Sequence, residues 1–514
     1  MRNLLYASMK KDSKIITAII FLVLVLYTLT LRGAFGIPGI GDFKENLEKP
    51  SGAFELSPER GRYVHVVALA EKGDFALTRD WADVAYPDVG VAGGKFYSFF
   101  APGVTYFAVP FYLIGAKFNL AQVAVFFMEI IIGAISAAFI YKIARNIFAL
   151  SAPASFFSVL VFAFASSAWN YSITLYQHLF TVLFMTTAFY AAWKFRNESG
   201  PYSRLYASWV WAAYALSIFV DYPNAAMMLP IMLYFAYSTF SVKKLEEGVA
   251  ISIKWAAIAT VIVFVLAMSF QFWHNAHYYG SWLQLAGGIA GYHKEIPINM
   301  ESPEQTQDIG AFFSERNIPK GFYVLLFSDE RGLFFFYPIF ILSLFGTRLF
   351  WKKSRDIGIR AEYILALSLI FVNLALYSSW GDPWGGWAYG PRYLIPSMAF
   401  LSIFAGAFIS GGVFTRFKKN LALLLFLYSS AIALLGALTS NAIPTKSEAI
   451  LLPAHKHNFL LNLDFLNKNQ SSSFIYNTYF DGKFSLEAYY LAIYIVIALA
   501  AVLTLLVLRD KNHG

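Results

Sequence analysis

The 514-residue chain contains no cysteine, so disulfide bonds and cysteine-ligated metal sites are excluded. Charged residues are scarce, at 14% of the chain, whereas 58% of the residues are hydrophobic. The sequence has neither a phosphate-binding P-loop nor a dinucleotide-binding glycine fingerprint, and it shows no internal repeat. These absences argue against nucleotide-binding enzymes and metal-cluster proteins of familiar sequence pattern.

The chain is instead rich in apolar runs of membrane length. Its mean hydropathy is +0.54, and runs of about 20 apolar residues, which span a bilayer core of ~30 Å, recur throughout. Membrane barrels alternate in polarity, so this pattern predicts an all-α polytopic membrane protein with about twelve transmembrane helices. The predicted spans are 15–31, 120–142, 150–168, 173–193, 204–220, 223–240, 250–272, 333–350, 361–379, 393–411, 420–440 and 487–508.

Lysine and arginine, which contribute to a net charge of +9, are concentrated in the short connections between these runs. The positive-inside rule places those connections and both termini on the cytoplasmic side. This assignment is consistent only if the run Phe99–Ala116, which contains Pro102 and Pro110, does not cross the membrane. We therefore expect that run to be a non-spanning juxtamembrane helix on the outer face. Orientation accounts for the basic charge, so no nucleic-acid partner is predicted.

The topology divides the chain into a transmembrane domain, an outer loop and a final helix with a cytoplasmic tail, at 1–440, 441–486 and 487–514. Within the first unit, residues 32–119 and 273–332 form long outer loops. Every candidate chemical residue then lies on the non-cytoplasmic face. This arrangement favours an enzyme of the cell membrane that uses a donor carried by the lipid bilayer.

The first outer loop carries the most informative group of polar residues. Ser57 and Pro58 followed by Glu59 are typical of a helix start, with Glu59 in the first turn. Glu59 therefore has two interpretations: a carboxylate that complements the helix dipole, or a general base just above the membrane. Asp88 is the second candidate base, because a preceding Tyr-Pro turn would hold it and Tyr97 could orient it.

The run Glu59-Arg-Gly-Arg62-Tyr63, followed by Ala68 and Gly73-Asp74-Phe75, resembles the first-loop signature of the GT-C superfamily. These are polyprenyl-phosphate-sugar glycosyltransferases, and they include protein O-mannosyltransferases and aminoarabinose transferases. The resemblance is best over roughly residues 15–270.

The resemblance implies that Glu59 occupies the position of the family's catalytic aspartate. Arg60 stands at the family's second acidic position, which is a departure from the pattern. Ala101-Pro102-Gly103 and the apolar stretch after it are similar to the family's proline-containing juxtamembrane helix. The lysine that the family carries directly before those prolines is absent, and Lys95 is the nearest one.

The connection at 380–392 carries a second group, which contains three tryptophans, several glycines and Arg392. Its aromatic residues fit an interfacial belt, but indole faces also form sugar platforms, and glycine lets the backbone approach a ligand closely. Arg392 stands at the membrane edge, where its planar guanidinium could hold a phosphate bidentately. The predicted donor-phosphate site is Arg392, Lys95, Arg62, Tyr63 and Tyr97. The predicted sugar-binding or cavity-lining residues are Trp384, Trp387, Tyr389, Asp221 and His178.

Several of these residues also have simpler interpretations. Asp221 could form a plain turn between two spans, and His178 could pack within its helix. His274 and His277 have a spacing that could suit a metal, but no third ligand is evident, so we predict no metal site. No cofactor is identified with certainty, and a divalent cation is left open.

The predicted function is a glycosyltransferase, hexosyl or pentosyl, that uses a polyprenyl-phosphate-sugar donor and a glycan, lipid or protein acceptor. A sugar phosphoester already has a good leaving group, so one carboxylate base suffices for an inverting displacement. The alternatives are a transporter or flippase of lipid-linked sugars, and a polysaccharide ligase or polymerase. Transporters usually show repeat symmetry, which this chain lacks.

Overall fold

The structure is a computed structural model that describes residues 2–37, 39–47, 52–198, 200–245, 248–292, 313, 317–410 and 416–508. The first twelve α-helices are α1 (Arg2–Thr30), α2 (Ile40–Leu47), α3 (Ser57–Lys72), α4 (Arg79–Ala85), α5 (Gly103–Ala116), α6 (Ala121–Lys142), α7 (Ala152–Phe164), α8 (Ala168–Tyr171), α9 (His178–Asn197), α10 (Tyr202–Val220), α11 (Asn224–Met227) and α12 (Leu229–Thr239). The helices that follow are α13 (Trp255–Ala259), α14 (Val261–Tyr279), α15 (Ile318–Leu326), α16 (Leu333–Phe336), α17 (Ile341–Asp356), α18 (Arg360–Ser378), α19 (Ile395–Ser410), α20 (Arg416–Leu438), α21 (Lys446–Ala449), α22 (Phe459–Asn467) and α23 (Leu486–Val507).

The chain is predominantly helical, as expected, but it is not all-α. The strands are β1 (Val89–Ala92), β2 (Lys95–Ser98), β3 (Phe240–Leu245), β4 (Gly248–Ile253) and β5 (Ala290–Gly291). β1 pairs antiparallel with β2 and with β5, and Gly90 lies opposite Gly291 in the second pair. This small sheet joins the first long loop to the second. β3 and β4 form a separate antiparallel pair. Short strands of this kind were missed because the long apolar runs dominate the sequence pattern.

Seven helices in the described ranges are long and apolar enough to cross a membrane, by length and composition. They are Asp12–Thr30, Ala121–Ile147, Trp255–Tyr279, Arg360–Ser378, Arg392–Ser410, Arg416–Leu438 and Leu486–Val507. By length and composition, the number of helices able to span a membrane in the described ranges is therefore lower than the expected twelve. One reason is length: α7 has 13 residues and α12 has 11, which at 1.5 Å per residue give ~20 Å or less. This content of long apolar helices is that of an integral membrane protein.

Helix α5 is a short apolar helix that contains Pro110. Its 14 residues give a length of ~21 Å, which is less than a ~30 Å hydrocarbon core. It packs against α3 and α6. Its non-spanning orientation and the cytoplasmic position of the termini stay predictions.

The centre of the bundle is formed by α19, which packs between α7 and α17. Two glycines allow these close approaches. A Cβ added at Gly346 would lie 1.9 Å from the Phe404 carbonyl oxygen, and one added at Gly406 would lie 2.0 Å from Ser158 Oγ. Small residues at helix interfaces are a general device for bringing apolar helices together in membranes.

Candidate active site

A cavity of about 1160 Å³ opens where α3, the α8–α9 connection, the α10–α11 connection and the segment 380–393 meet. Its wall therefore comes from parts of the chain that are far apart in sequence. The lining residues are Glu55, Leu56, Ser57, Pro58, Arg60, Arg62, Pro87, Asp88, Phe99, Phe100, Ala101, Tyr176, Gln177, Asp221, Tyr222, Pro223, Leu285, Gly287, Phe313, Leu376, Tyr377, Trp380, Gly381, Asp382, Gly385, Gly386, Trp387, Arg392 and Tyr393.

Arg62 projects from α3 into this wall and is almost completely buried. Its guanidinium donates hydrogen bonds to the Pro58 carbonyl oxygen at 3.0 Å and to Gln177 Oε1 at 2.6 Å. It also lies 4.5 Å from the centroid of the Phe100 ring. Its Nε has no hydrogen-bond partner in the described part of the chain. Burial lowers the pKa of Arg62 to about 10, so the side chain remains charged at neutral pH.

Arg392, which precedes α19, lines the same cavity from a distant part of the sequence. It donates a hydrogen bond to the Gly385 carbonyl oxygen at 2.6 Å and a longer one to Tyr176 Oη at 3.4 Å. Among the described residues its Nε also lacks a partner. The cavity thus receives two arginines that each retain an unused donor, which is the arrangement that an oxyanion requires.

Glu55 lines the cavity just before α3 begins. Its Oε2 accepts hydrogen bonds from Arg32 Nη1 and from the backbone N–H of Asn441 at 2.7 Å. Its Oε1 has no partner within the described ranges. One oxygen therefore holds the carboxylate in place, while the other is buried without a partner among the described residues.

Asp88 and Asp221 bring two further carboxylates to the cavity wall. Asp88 accepts a hydrogen bond from Ser57 Oγ. Asp221 follows α10 directly and is partly buried. Burial raises the pKa of Asp221 to about 6, and the positive charges of Arg62 and Arg392 oppose that rise.

Two other arginines hold the surrounding loops. Arg60 donates to the carbonyl oxygens of Val84 and Tyr86 and to that of Glu55, at 2.9–3.0 Å. Arg331, which is buried, donates to four backbone carbonyl oxygens, and those of Trp384, Gly386 and Ile443 are among them. Asp382 accepts hydrogen bonds from the backbone N–H groups of Trp384 at 3.1 Å and Gly386 at 2.7 Å. These contacts fold the segment 380–393 into a fixed loop over the cavity.

The structure brings Arg62, Arg392, Asp88, Asp221 and Trp387 together in this cavity. Trp387 is 38% exposed, and its Nε1 donates to Glu448 Oε2 from the segment 441–486.

The remaining predicted site residues lie elsewhere in the described structure and do not line this cavity. Lys95 is exposed and pairs with Asp74 at 3.4 Å. The others are buried in packing positions or stand behind the loop: Glu59, Tyr63, Tyr97, His178, Trp384 and Tyr389.

Glu59 is the most consequential of these positions, because its carboxylate was expected to face the cavity. It is completely buried behind the cavity wall, with Oε1 at 4.0 Å from Arg32 Nη1. Burial raises the pKa of Glu59 to about 7, and Arg32 opposes the rise while Glu55 adds to it. The geometry places Glu55, four residues earlier, where we expected Glu59.

Sequence reasoning missed Glu55, Arg32 and Tyr176. Glu55 could have been considered as the other carboxylate close to the start of α3, but alignment on Arg62-Tyr63 pointed to Glu59. Arg32 and Tyr176 stand at the ends of apolar runs, where arginine and tyrosine are common as interfacial anchors. The sequence therefore carried no local signal for their roles.

Among the residues that the structure describes, no group of three His, Asp or Glu side chains is positioned to hold a metal ion. His274 instead contacts Tyr106 Oη through Nδ1 at 3.0 Å and Tyr279 Oη through Nε2 at 3.3 Å. His277 stacks on Trp273. Both histidines are thus part of an aromatic cluster.

No protein-family model matches the sequence, and no curated protein matches it. Comparison with solved structures shows a similarity of fold, and it confirms the GT-C-like fold that the first-loop resemblance predicts. In particular, the chain is similar to ArnT, an aminoarabinose transferase from Cupriavidus metallidurans, in its crystal structure bound to undecaprenyl phosphate. The TM-score is 0.52 at 12% identity, and the match covers 96% of this chain and 76% of ArnT.

A weaker likeness is found to the archaeal oligosaccharyltransferase AglB from Archaeoglobus fulgidus in complex with an inhibitory peptide and a dolichol-phosphate. Its TM-score is 0.45 at 11% identity, with 90% of this chain and 59% of AglB covered.

Proposed function

We propose that the protein is a membrane glycosyltransferase that transfers a sugar from a polyprenyl-phosphate-linked donor to an acceptor on the non-cytoplasmic face. The observation that carries this proposal is the composition of one cavity. It contains two arginines with unused donors, Arg62 and Arg392, together with the Glu55 carboxylate, which has an unused oxygen. A cationic phosphate site beside a carboxylate base is what a sugar phosphoester donor requires. The fold shared with ArnT, which was crystallised with undecaprenyl phosphate, supports the same class of donor.

Arg62 and Arg392 would bind the donor phosphate. As the sugar leaves, negative charge develops on the phosphate oxygens, and fixed guanidinium groups in a partly buried site stabilise that charge. The lipid tail would extend from the cavity into the bilayer. Trp380, Trp387 and Tyr222, which also line the cavity, offer aromatic faces to the sugar ring.

Glu55 would act as the general base. The acceptor oxygen attacks the anomeric carbon, the bond from that carbon to the phosphate oxygen breaks, and its electron pair leaves with polyprenyl phosphate. Glu55 Oε1 takes the acceptor's hydroxyl proton. One displacement of this kind inverts the anomeric configuration. Asp88 lies on the same cavity wall and is the alternative base.

The test incubates the purified protein in detergent with a panel of polyprenyl-phosphate sugars and of glycan, lipid and peptide acceptors, and it measures the release of polyprenyl phosphate. We expect Glu55→Gln to lower release by about 10²-fold or more, because it removes the base but keeps the shape. Binding of undecaprenyl phosphate by that variant should persist. Asp481→Asn, a change at an exposed carboxylate away from the cavity, is the matched control and should leave release unchanged.

Two results would contradict the proposal. The first is a wild-type protein that releases no polyprenyl phosphate from any donor but moves the intact lipid-linked sugars across liposomes, which indicates a flippase. The second is normal release by Glu55→Gln and by Asp88→Asn alike, which removes the base from the first loop.

A further inference from the structure

We infer that Glu448 is a positioning residue that acts through Trp387: it fixes the orientation of the indole so that the ring can receive the sugar of the donor. The inference rests on the proposed function and deepens it, because it adds a residue of the segment 441–486 to the recognition of the sugar. Glu448 itself is not among the residues of the described cavity wall, whereas Trp387 is.

Trp387 lies on the cavity wall with its side chain only partly covered. It is 38% exposed, so its ring keeps a surface that a ligand can contact. The indole has one polar group, Nε1–H, which donates a hydrogen bond to Glu448 Oε2. Because the acceptor is a carboxylate, this bond is charge-assisted and stronger than one between neutral groups. Glu448 thus holds the ring by its edge, and the hydrogen bond takes up neither ring face.

The backbone on both sides of Trp387 is held by other contacts. The Gly386 N–H donates to Asp382 Oδ2 at 2.7 Å, and the Ala388 N–H donates to the Ile443 carbonyl oxygen at 3.0 Å. These bonds leave open the rotation of the indole about its side-chain torsions, and the second of these torsions has broad minima in tryptophan. A single anchor at Nε1 is therefore enough to select one orientation of the ring.

Glu448 can serve as this anchor because its own segment is attached to another part of the chain. It lies in α21, where the backbone N–H of the first residue, Lys446, donates to Glu330 Oε2 at 2.7 Å. Further along the segment, His457 Nε2 contacts Asp329 Oδ2 at 2.9 Å. The Glu448 side chain is exposed, so packing does not place it. Two attachments to the connection between α15 and α16 fix the short helix that carries it.

A fixed ring benefits a ligand that stacks on it. The face of an aromatic ring is electrically negative, and it attracts the C–H groups on the apolar face of a sugar, whose hydrogens carry partial positive charge. A ring that is oriented before binding also spares the complex the entropy of immobilising it. The donor phosphate gains nothing from the same ring face, because it is an anion. Glu448 should therefore affect the binding of a lipid that carries a sugar and not the binding of the lipid phosphate alone.

The experiment measures the equilibrium Kd of the purified full chain in detergent for two ligands, with no acceptor added. One ligand is undecaprenyl phosphate, and the other is the undecaprenyl-phosphate sugar that the wild type uses best among the donors tested. Glu448→Ala should raise the Kd for the lipid-linked sugar by about three- to tenfold and leave the Kd for undecaprenyl phosphate unchanged. Glu448→Gln should raise it by less than about twofold, because its amide oxygen still accepts from the Trp387 N–H.

Glu487→Ala is the matched control, because Glu487 is an exposed glutamate that does not line the described cavity. This variant should bind both ligands as the wild type does. Undecaprenyl phosphate binding also reports on the fold of every variant, since it depends on the phosphate site and not on the sugar.

A double variant shows whether Glu448 acts through Trp387. Trp387→Phe keeps an aromatic ring but removes the N–H donor, so it should weaken binding of the lipid-linked sugar about as much as Glu448→Ala does. Adding Glu448→Ala to Trp387→Phe should then change the Kd by less than about twofold, because the interaction is already lost. A general structural role of Glu448 would instead show its effect in both backgrounds and on both ligands.

The inference is overturned if Glu448→Ala or Trp387→Phe binds the lipid-linked sugar as the wild type does. It is also overturned if Glu448→Ala weakens undecaprenyl phosphate equally, or if its effect persists in the Trp387→Phe background. Each of these results leaves the glycosyltransferase proposal standing, because the wild type still releases polyprenyl phosphate. A wild type that releases nothing from any donor overturns both.

Discussion

Arg62 and Arg392 both place their guanidinium groups over the ring of Tyr176, at 5.7 and 5.5 Å from its centroid. One arginine belongs to α3 and the other precedes α19, so a single tyrosine ring contacts two cations that come from distant parts of the chain. Like charges repel, and a shared aromatic face offsets part of that repulsion.

Substitutions at Tyr176 should therefore distinguish the contribution of its ring to phosphate binding from that of its hydroxyl. Tyr176→Leu removes the aromatic ring that contacts both arginines. We expect this variant to bind undecaprenyl phosphate about tenfold more weakly, because two cation–π contacts are lost. Tyr176→Phe keeps the ring and loses only the 3.4 Å contact with Arg392, so binding should change less than about threefold. Equilibrium binding in detergent measures both; equal losses in the two variants would show that the ring itself does not contribute.

Arg392 should not tolerate replacement by lysine. Lysine keeps the charge but loses the planar arrangement of donors that lets arginine hold a phosphate and the Gly385 carbonyl at once. We expect Arg392→Lys to lower kcat/KM for polyprenyl phosphate release by about tenfold or more, with Lys468→Arg as an exposed control. Full activity in Arg392→Ala would show that Arg392 does not bind the donor phosphate, and the segment 380–393 would then serve only as an interfacial aromatic belt.

Phosphate binding should depend on the ionisation of Asp221. Burial raises its pKa to about 6, so above that pH its carboxylate competes with the ligand for Arg62 and Arg392, and below that pH it is neutral. Asp221→Asn should bind undecaprenyl phosphate about tenfold more tightly than the wild type at pH 8, and about equally at pH 5. The phosphate itself also titrates in this range, but it affects both proteins alike. The ratio of their affinities at each pH therefore reports on Asp221. A constant ratio across this range would show that Asp221 does not compete.

Arg331 should be a stability determinant. Its four hydrogen bonds to carbonyl oxygens are made in a buried position, and lysine cannot satisfy them all. We expect Arg331→Lys to lower the free energy of unfolding by ~3 kcal/mol, because carbonyl groups are left unpaired. Thermal unfolding in detergent measures this, and Arg355→Lys, at an exposed position, should show no change. An unaltered Tm in Arg331→Lys would mean that solvent replaces the lost donors.

The absence of cysteine makes the topology directly testable. Single cysteines at Lys117, after α5, and at Asn146, between α6 and α7, are both at exposed positions. If α5 does not span, a membrane-impermeant thiol reagent added outside intact cells should label the first and spare the second. The reverse labelling would show that α5 crosses.

The class of protein could be predicted from the sequence because its signals are local. Apolar runs of membrane length give long helices regardless of what packs against them, and the helix start predicted from Ser57, Pro58 and Glu59 is the start of α3. The expected count of spans is not reached, because helices such as α7 and α12 are too short to cross a ~30 Å hydrocarbon core. The sheet formed by β1, β2 and β5 could not be predicted, since it pairs two loops that are distant in sequence.

The sequence by itself determined that carboxylates stand near the start of α3 and that arginines stand near the ends of apolar runs. Only the tertiary structure decided which carboxylate meets which arginine. Glu55 precedes the helix and Glu59 lies in its first turn, so no helical periodicity relates the directions of their side chains. Arg32, which follows α1, and the Asn441 N–H from beyond α20 hold Glu55 at the cavity wall and leave Glu59 behind it. Contacts between residues so far apart in the chain arise from the packing of whole helices, which no local pattern specifies.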